Sequence, residues 1–239
     1  MSLLPGREAK LGRLSIACRY ESCAELGGDL YDYTLDASGA VAILVADVSG
    51  HGASAAMLTG IVKSCFRSAS ADGYDPLAVV QRVFAAIGAF SAEKFVTMFC
   101  ARIPAGPIGP AGPSGSDAGS IEYVNAGHPA GLLWSDTRPV ATLESTGPLI
   151  SPALPDLKAL WKKIARPIAA GDRLLVYTDG LTEAQRDDEF FGEEGIRREI
   201  ANHAEGGAVL LDAILKAVSD YGGGRPKQDD FTLLAARID

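Results

Sequence analysis

Between residues 120 and 179 the chain offers one strand-like run after another with no helical stripe between them: "SIEYVNAG", "AGLLW", "PVATLE", "LWKKIARPI" and "DRLLVYTD". Strands joined by short connections pair antiparallel, because a parallel neighbour needs a crossover of a dozen or more residues. The rest of the chain fits the same constraint. Residues 13–20 read as a strand, as do 94–103 and 229–238, while "DLYDYTL" (29–35) and "AVAILVA" (40–46) flank the turn-rich "DASG" and read as a hairpin. Helices fill the gaps. Leu58, Ile61, Val62, Cys65, Phe66 and Ala69 make one apolar stripe at helical spacing. Asp75 and Pro76 read as N-cap and first residue of a second helix, with Leu77, Val80, Phe84 and Ile87 as its buried face. Two more helices are expected over 192–204 and 207–221. The chain is therefore α+β, with largely antiparallel sheets.

Residues 13–239 are expected to form one domain and 1–12 a tail or linker remnant. Residues 104–119, with glycine at 106, 109, 112 and 115, read as an extended surface loop inserted into it. The formal net charge of −8 argues against a nucleic-acid backbone or an anionic membrane as the main partner. It also suits a phosphorylated substrate poorly unless a bound cation reverses the local field. No apolar run approaches the length of a membrane span, and the N-terminus has no signal-peptide core, so a cytoplasmic protein is expected. Four cysteines without a CxxC pair read as reduced thiols, mostly buried.

The acidic residues follow the strand ends. A hairpin turn centred near Ala37–Ser38 pairs positions whose numbers sum to 75 or 76, which sets Asp29 opposite Asp47. Asp179 ends one strand, and Asp229 and Asp230 begin another that the two intervening helices can return antiparallel beside it. Four carboxylates could thus share one edge of two sheets. Two carboxylates about 4 Å apart repel by about 4 kcal/mol at an effective dielectric near 20. Protons or cations must relieve this, and an all-oxygen set calls for Mg²⁺ or Mn²⁺. A carboxylate bridging two such ions would hold an easily deprotonated water between them. Gly27, Gly28, Gly50 and Gly52 would leave room for ions, water and substrate. Asp beside Gly equally suits ordinary turns, and spacing alone does not separate the two readings.

Six segments occur in order: "GGDLYDY", "VADVSGHGASAAM", "TMFCARI", "YVNAGHPAGLL", "GDRLLVYTDGLTEAQ" and "DDFTLL". Together they resemble the metal-dependent serine/threonine phosphatases of the protein phosphatase 2C type (PPM), and more closely their bacterial SpoIIE-like branch. The resemblance runs from about residue 13 to 238. It implies a four-layer α-β-β-α sandwich of two mostly antiparallel sheets flanked by helices, with two Mn²⁺ or Mg²⁺ ions at one end. It implies that Asp47 bridges both ions, that the Val48 carbonyl and Asp29 help hold one, and that Asp179 and Asp229 complete the other. Asp230 would orient the site or itself be the ligand. Asp32, Gly28 and Gly180 would support the ligands from behind.

The resemblance leaves His51 as either a general acid or an anchor of its loop, the anchor being favoured. His128 and His203 read as structural, Arg19 as an edge-strand charge, and Glu183 as support for Asp179 or a helix start. Ile150–Ser151 stands where leucine–glycine is usual, which bears on a loop. The implied substrate is phosphoserine or phosphothreonine on a regulatory protein of the anti-sigma factor antagonist type. An upstream sensor or receiver domain would regulate the domain from outside this chain. Two rivals are weighed. "GGD" also occurs in the diguanylate cyclase loop, but Leu30 replaces the acid expected next, and 26 residues before Gly27 are too few for that fold. A catalytically silent phosphatase fold acting as a binding module has no reason to keep so costly a set of acids.

Overall fold

The computed structural model describes residues 4–25, 27–50, 52–91, 93–105, 119–154 and 160–239. In chain order it runs β1 (Glu8–Leu11), β2 (Leu14–Glu21), β3 (Leu30–Leu35), β4 (Val41–Val48), α1 (Ala53–Ser68), a 3₁₀ turn (Ala69–Asp72) and α2 (Pro76–Ile87). Next come β5 (Val96–Ile103), β6 (Gly119–Ala126), β7 (Gly131–Ser135), β8 (Arg138–Leu143), β9 (Ile164–Ile168), β10 (Arg173–Tyr177) and the single turn α3 (Asp179–Thr182). The chain closes with β11 (Gln185–Arg186), β12 (Glu189–Phe190), α4 (Gly192–Asn202), α5 (Gly207–Tyr221) and β13 (Phe231–Ile238).

One sheet has the order β1-β2-β13-β10-β7-β8, the other β3-β4-β5-β6-β9, and every ladder within them is antiparallel. Alternation along each strand sorts the side chains into layers. Tyr31, Tyr33, Ile43, Val45 and Phe99 meet Leu14, Ile16, Leu174, Val176 and Leu234 between the sheets. Leu30, Leu44, Met98 and Cys100 turn the other way, onto Leu58, Val62, Val80 and Val83 of α1 and α2. Leu175, Tyr177, Leu233 and Ala235 do the same against Ile196, Leu210, Ile214 and Val218 of α4 and α5. The expected four layers result. Strands covered on both faces read as continuous apolar runs, which is why "AILVA" and "RLLVY" carry no polar alternation.

Several boundaries differ from the sequence expectation. Residues 8–11, placed in the tail, form an edge strand: Glu8 pairs with Ala17 and Leu11 with Leu14. The strand expected over 160–168 begins only at Ile164. The N-cap of α2 is as expected, Asp75 accepting from the backbone N–H groups of Leu77 and Ala78. Its buried face is rotated, however, onto Val79, Val80, Val83 and Ile87, leaving Leu77 and Phe84 half-buried. Most of the Gly/Pro-rich segment, residues 106–118, lies outside the described residues. Cys18 and Cys100 are buried, Cys65 half-buried and Cys23 exposed, all as free thiols. Among the described residues no helix is long and apolar enough to cross a membrane.

Candidate functional site

The β3–β4 register pairs Leu30 with Ala46, a sum of 76, so extending the ladder by one residue sets Asp29 opposite Asp47. The backbone continues that far, with Val48 N–H donating to the Gly28 carbonyl at 3.2 Å. In the other sheet Tyr177 pairs with Leu233, and Thr178 N–H donates to the Thr232 carbonyl at 3.0 Å. That carries Asp179, at the start of α3, alongside Asp229 and Asp230, just ahead of β13. Both hairpin-like ends face the same edge of the sandwich, and Asp29 joins them. Its Oδ2 accepts from Thr178 Oγ1 at 2.7 Å and from Thr232 Oγ1 at 2.6 Å, so one carboxylate of the second sheet is pinned by two hydroxyls of the first.

The electrostatics record how close these acids are. Asp29 is buried, 4% exposed. Burial first and then the Asp47 charge hold its carboxyl well above the ordinary range, against the two threonine hydrogen bonds. Asp47 is pushed up to about 7 by burial, then by Asp179, Asp229 and Asp230, with the Val48 N–H opposing. Asp179 is raised by burial and by Glu183. Asp229 reaches solvent but is raised by partial burial and then by Asp179 and Asp230, while the Asp230 N–H at 2.8 Å opposes the shift. Among the described residues, no three His, Cys, Asp or Glu side chains close on a single point as a complete cation cage. What the fold assembles is a set of oxygen donors that disfavour one another's charge. Such a set is chemically fitted to a hard divalent cation.

Asp230 differs from its neighbour. It is 3% exposed. Its Oδ1 accepts from Ser22 Oγ at 2.9 Å and Cys23 N–H at 2.8 Å, and its Oδ2 from Asp29 N–H at 3.3 Å. Those bonds fasten the 22–29 loop, which leaves Asp229 as the freer carboxylate.

Gly27 and Gly28 work differently from expectation, while a Cβ on Gly52 would meet open space. A Cβ on Gly28 would fall inside contact distance of the Val48 carbonyl oxygen, and one on Gly27 would strike Asp230 Oδ2 and the Tyr20 hydroxyl. A Cβ on Gly180 would strike the Asp230 carbonyl. These residues are bare so that backbone can approach backbone and ligand-bearing loops, rather than to leave open space. Gly50 and Gly52 have φ of 91° and 78°, a left-handed backbone that side chains resist.

Asp32 corrects another expectation. It is fully buried on the α1-facing side of β3, where it accepts from Lys63 Nζ at 2.8 Å and Arg67 Nε at 2.8 Å, and from Tyr33 N–H at 2.9 Å. It ties α1 to the sheet and plays no part in the acidic edge. Arg19 grips Asp212 of α5 through Nε at 2.6 Å and Nη2 at 2.9 Å, also away from that edge. His51 lies outside the described residues. His203 closes α4, its N–H bonded to the Glu199 carbonyl at 2.9 Å.

His128 is buried, with Nδ1 2.8 Å from Thr97 Oγ1, and Thr97 is the β5 partner of Asp47. Burial pushes its imidazole down to about 3 against the nearby Tyr177 carbonyl, so it is neutral, and its Nε2 has no hydrogen-bond partner among the described residues. It braces the loop beneath Asp47. The residues the sequence reading missed are Thr178 and Thr232. Thr178 stands next to Asp179 in "YTDG" and Thr232 two residues after Asp230 in "DDFT", but only the meeting of β10 with β13 shows that both hydroxyls serve Asp29.

The sequence profile of the family described as Stage II sporulation protein E (SpoIIE) matches residues 37–239. The chain is 29% identical over 172 residues to the phosphoserine phosphatase RsbP of Bacillus subtilis (strain 168), covering 72% of this chain and 40% of that protein. It spans between 39% and 65% of the length of the curated relatives it matches. The SiaA PP2C domain of Pseudomonas aeruginosa superposes with a TM-score of 0.77 at 22% identity, covering 94% of this chain and 86% of that one. The catalytic domain of the serine/threonine phosphatase PstP, in complex with two manganese ions, superposes with a TM-score of 0.62 at 18% identity, covering 95% and 99%. The fold is that of the PP2C domains.

Proposed function

This chain belongs to the SpoIIE family of bacterial PP2C-type phosphatases, and we propose that it hydrolyses phosphoserine or phosphothreonine on a regulatory protein with the help of two Mn²⁺ or Mg²⁺ ions. The observation that carries this reading is the single edge of the sandwich that gathers Asp29, Asp47, Asp179 and Asp229, where burial and then neighbouring acids hold their carboxyls above the ordinary range. When bound, the two ions supply an activated water and neutralise charge on the phosphoryl oxygens. Asp47 stands between the other acids and is the residue suited to touch both ions. The Val48 carbonyl and Asp29 would help hold one ion, and Asp179 and Asp229 the other. Thr178 and Thr232 hold one oxygen of Asp29 so that its orientation is set before any ion arrives. Asp230 fixes the loop that carries Asp29 and donates its own N–H to Asp229.

The substrate class follows from the family and from RsbP, named a phosphoserine phosphatase. A protein of the anti-sigma factor antagonist type, acted on in the cytoplasm under control of a sensor or receiver domain, fits that setting. The two manganese ions of PstP favour the two-ion reading. Calorimetry with Mn²⁺ alongside p-nitrophenyl phosphate turnover tests it. Binding with turnover that EDTA abolishes is expected, and Asp47→Asn should lose both. Full activity in excess EDTA would refute the metal dependence, and absence of Mn²⁺ binding would leave a phosphatase fold that serves only as a binding module.

A further inference from the structure

A cavity of about 630 Å³ opens beside the acidic edge, between the β11–β12 hairpin, the C-terminal half of α5 and the segment leading into β13. Gly180 and Asp229 form its inner end, so it is continuous with the proposed reaction site. Its floor is apolar, built from Leu215, Val218 and Phe231. Phe190 stands at its wall with 60% of its surface exposed. That exposure is not a loose end. The Phe190 carbonyl accepts from Tyr221 Oη at 3.2 Å, Phe191 N–H donates to the Ala184 carbonyl at 2.9 Å, and the Arg186 guanidinium lies 4.5 Å from the Tyr221 ring centroid. The hairpin is therefore fixed to α5 while its aromatic side chain is kept in water, next to a hollow of the size that ligands fill. Arg225 and Lys227 line the same groove together with Glu21, Glu183 and Asp229, and Arg225 lies 3.6 Å from Asp187. Lys227 sits 5.1 Å from the Phe231 ring centroid and pairs with Glu21.

We infer that this groove docks the segment of the phosphoprotein that flanks the phosphorylated residue, taking one large apolar side chain between Phe190 and Leu215. The inference rests on the proposed phosphatase reading and adds its substrate selectivity. A phosphate monoester needs only the acidic edge, whereas a folded regulator must lay polypeptide somewhere beside it. The groove shares Gly180 and Asp229 with that edge. Burying one Leu or Phe side chain stabilises a complex by about 1.5–3 kcal/mol, or about tenfold or more in affinity.

The test uses phosphoserine heptapeptides of alanine, each with a single Leu or Phe at one flanking position, on the Mn²⁺-loaded chain. One flanking position should raise kcat/KM about tenfold over the all-alanine peptide, through KM. Phe190→Ala should cut the ratio of that peptide's kcat/KM to that of p-nitrophenyl phosphate about tenfold. Anisotropy with the fluorescein-labelled peptides reads the groove without turnover, and p-nitrophenyl phosphate reads the acidic edge alone. Peptide affinities indifferent to the apolar residue and to Phe190→Ala, beside intact p-nitrophenyl phosphate turnover, overturn the groove. Selective peptide binding without any turnover overturns the proposed activity and leaves the groove standing.

Discussion

Asp47→Asn should make the metal-free protein more stable while removing its ability to hold the ions. The folded protein raises the Asp47 carboxyl from 3.8 to about 7. A carboxyl raised by folding keeps its proton more tightly in the native state than in the unfolded chain. The Asp47 contribution to stability is therefore most favourable below pH 4 and is lost as pH climbs from 4 through 7. The gap between 3.8 and about 7 corresponds to about 4 kcal/mol at pH 8, an upper value that relaxation of the acidic edge reduces to about 2–4 kcal/mol. Asparagine has nearly the same shape and cannot ionise. For a chain of 239 residues each kcal/mol moves the Tm by about 2–4 °C, so a rise of at least several degrees is expected in EDTA at pH 8. At pH 4 the two proteins should melt together. Saturating Mn²⁺ should reverse the order at pH 8, because only the wild type gains the full stabilisation of ligand binding. Scanning calorimetry at both pH values, with EDTA and with Mn²⁺, measures all four arms. A variant less stable than wild type in EDTA at pH 8 would show that Asp47 is not held against its charge, and the electrostatic reasoning would fail.

Other substitutions separate structural acids from ion-holding ones. Asp32→Ala should cost about 2–3 kcal/mol in urea unfolding, since it strands Lys63 and Arg67, which are half-exposed and can turn partly to water; Mn²⁺ affinity of the folded protein should persist. Asp230→Ala should cost about 2–3 kcal/mol by breaking the bonds that fasten Ser22, Cys23 and Asp29. Asp229→Asn, on an exposed side chain, should shift stability by about 0.5 kcal/mol or less and appear instead as weaker Mn²⁺ binding in calorimetry. Gly28→Ala should cost about 1–3 kcal/mol, read by chemical denaturation, because its Cβ meets the Val48 carbonyl.

Antiparallel pairing was legible because short connections between strands leave it as the available solution, and the Asp29–Asp47 pairing because the hairpin arithmetic needs only a turn position, whereas the four layers were implied by the family resemblance. The observed sum of 76 follows from that geometry. Asp32 misled because it lies three residues after Asp29 in a motif rich in acids. Its destination depends on Lys63 and Arg67, one turn apart on a helix that packs on the far face of β3. Thr178 and Thr232 were invisible for a related reason. A threonine near an aspartate in a strand has many possible partners, and the partner here comes from the opposite sheet. The roles of Gly27 and Gly28 needed the neighbouring carbonyl and carboxylate to be in place. A glycine pair in sequence reads the same whether it makes room or permits contact. The edge strand at Glu8–Leu11 was missed because it is short and exposed on alternate residues, with too little apolar content to stand out.

The most direct test is a crystal of the protein grown in abundant Mn²⁺, with anomalous data collected at the manganese edge. Two manganese peaks are predicted at the open end of the sandwich, both bonded to Asp47, one of them also to Asp29 or the Val48 carbonyl and the other to Asp179 and Asp229. Peaks elsewhere, or a fully loaded crystal in which Asp47 touches no manganese, would contradict the account.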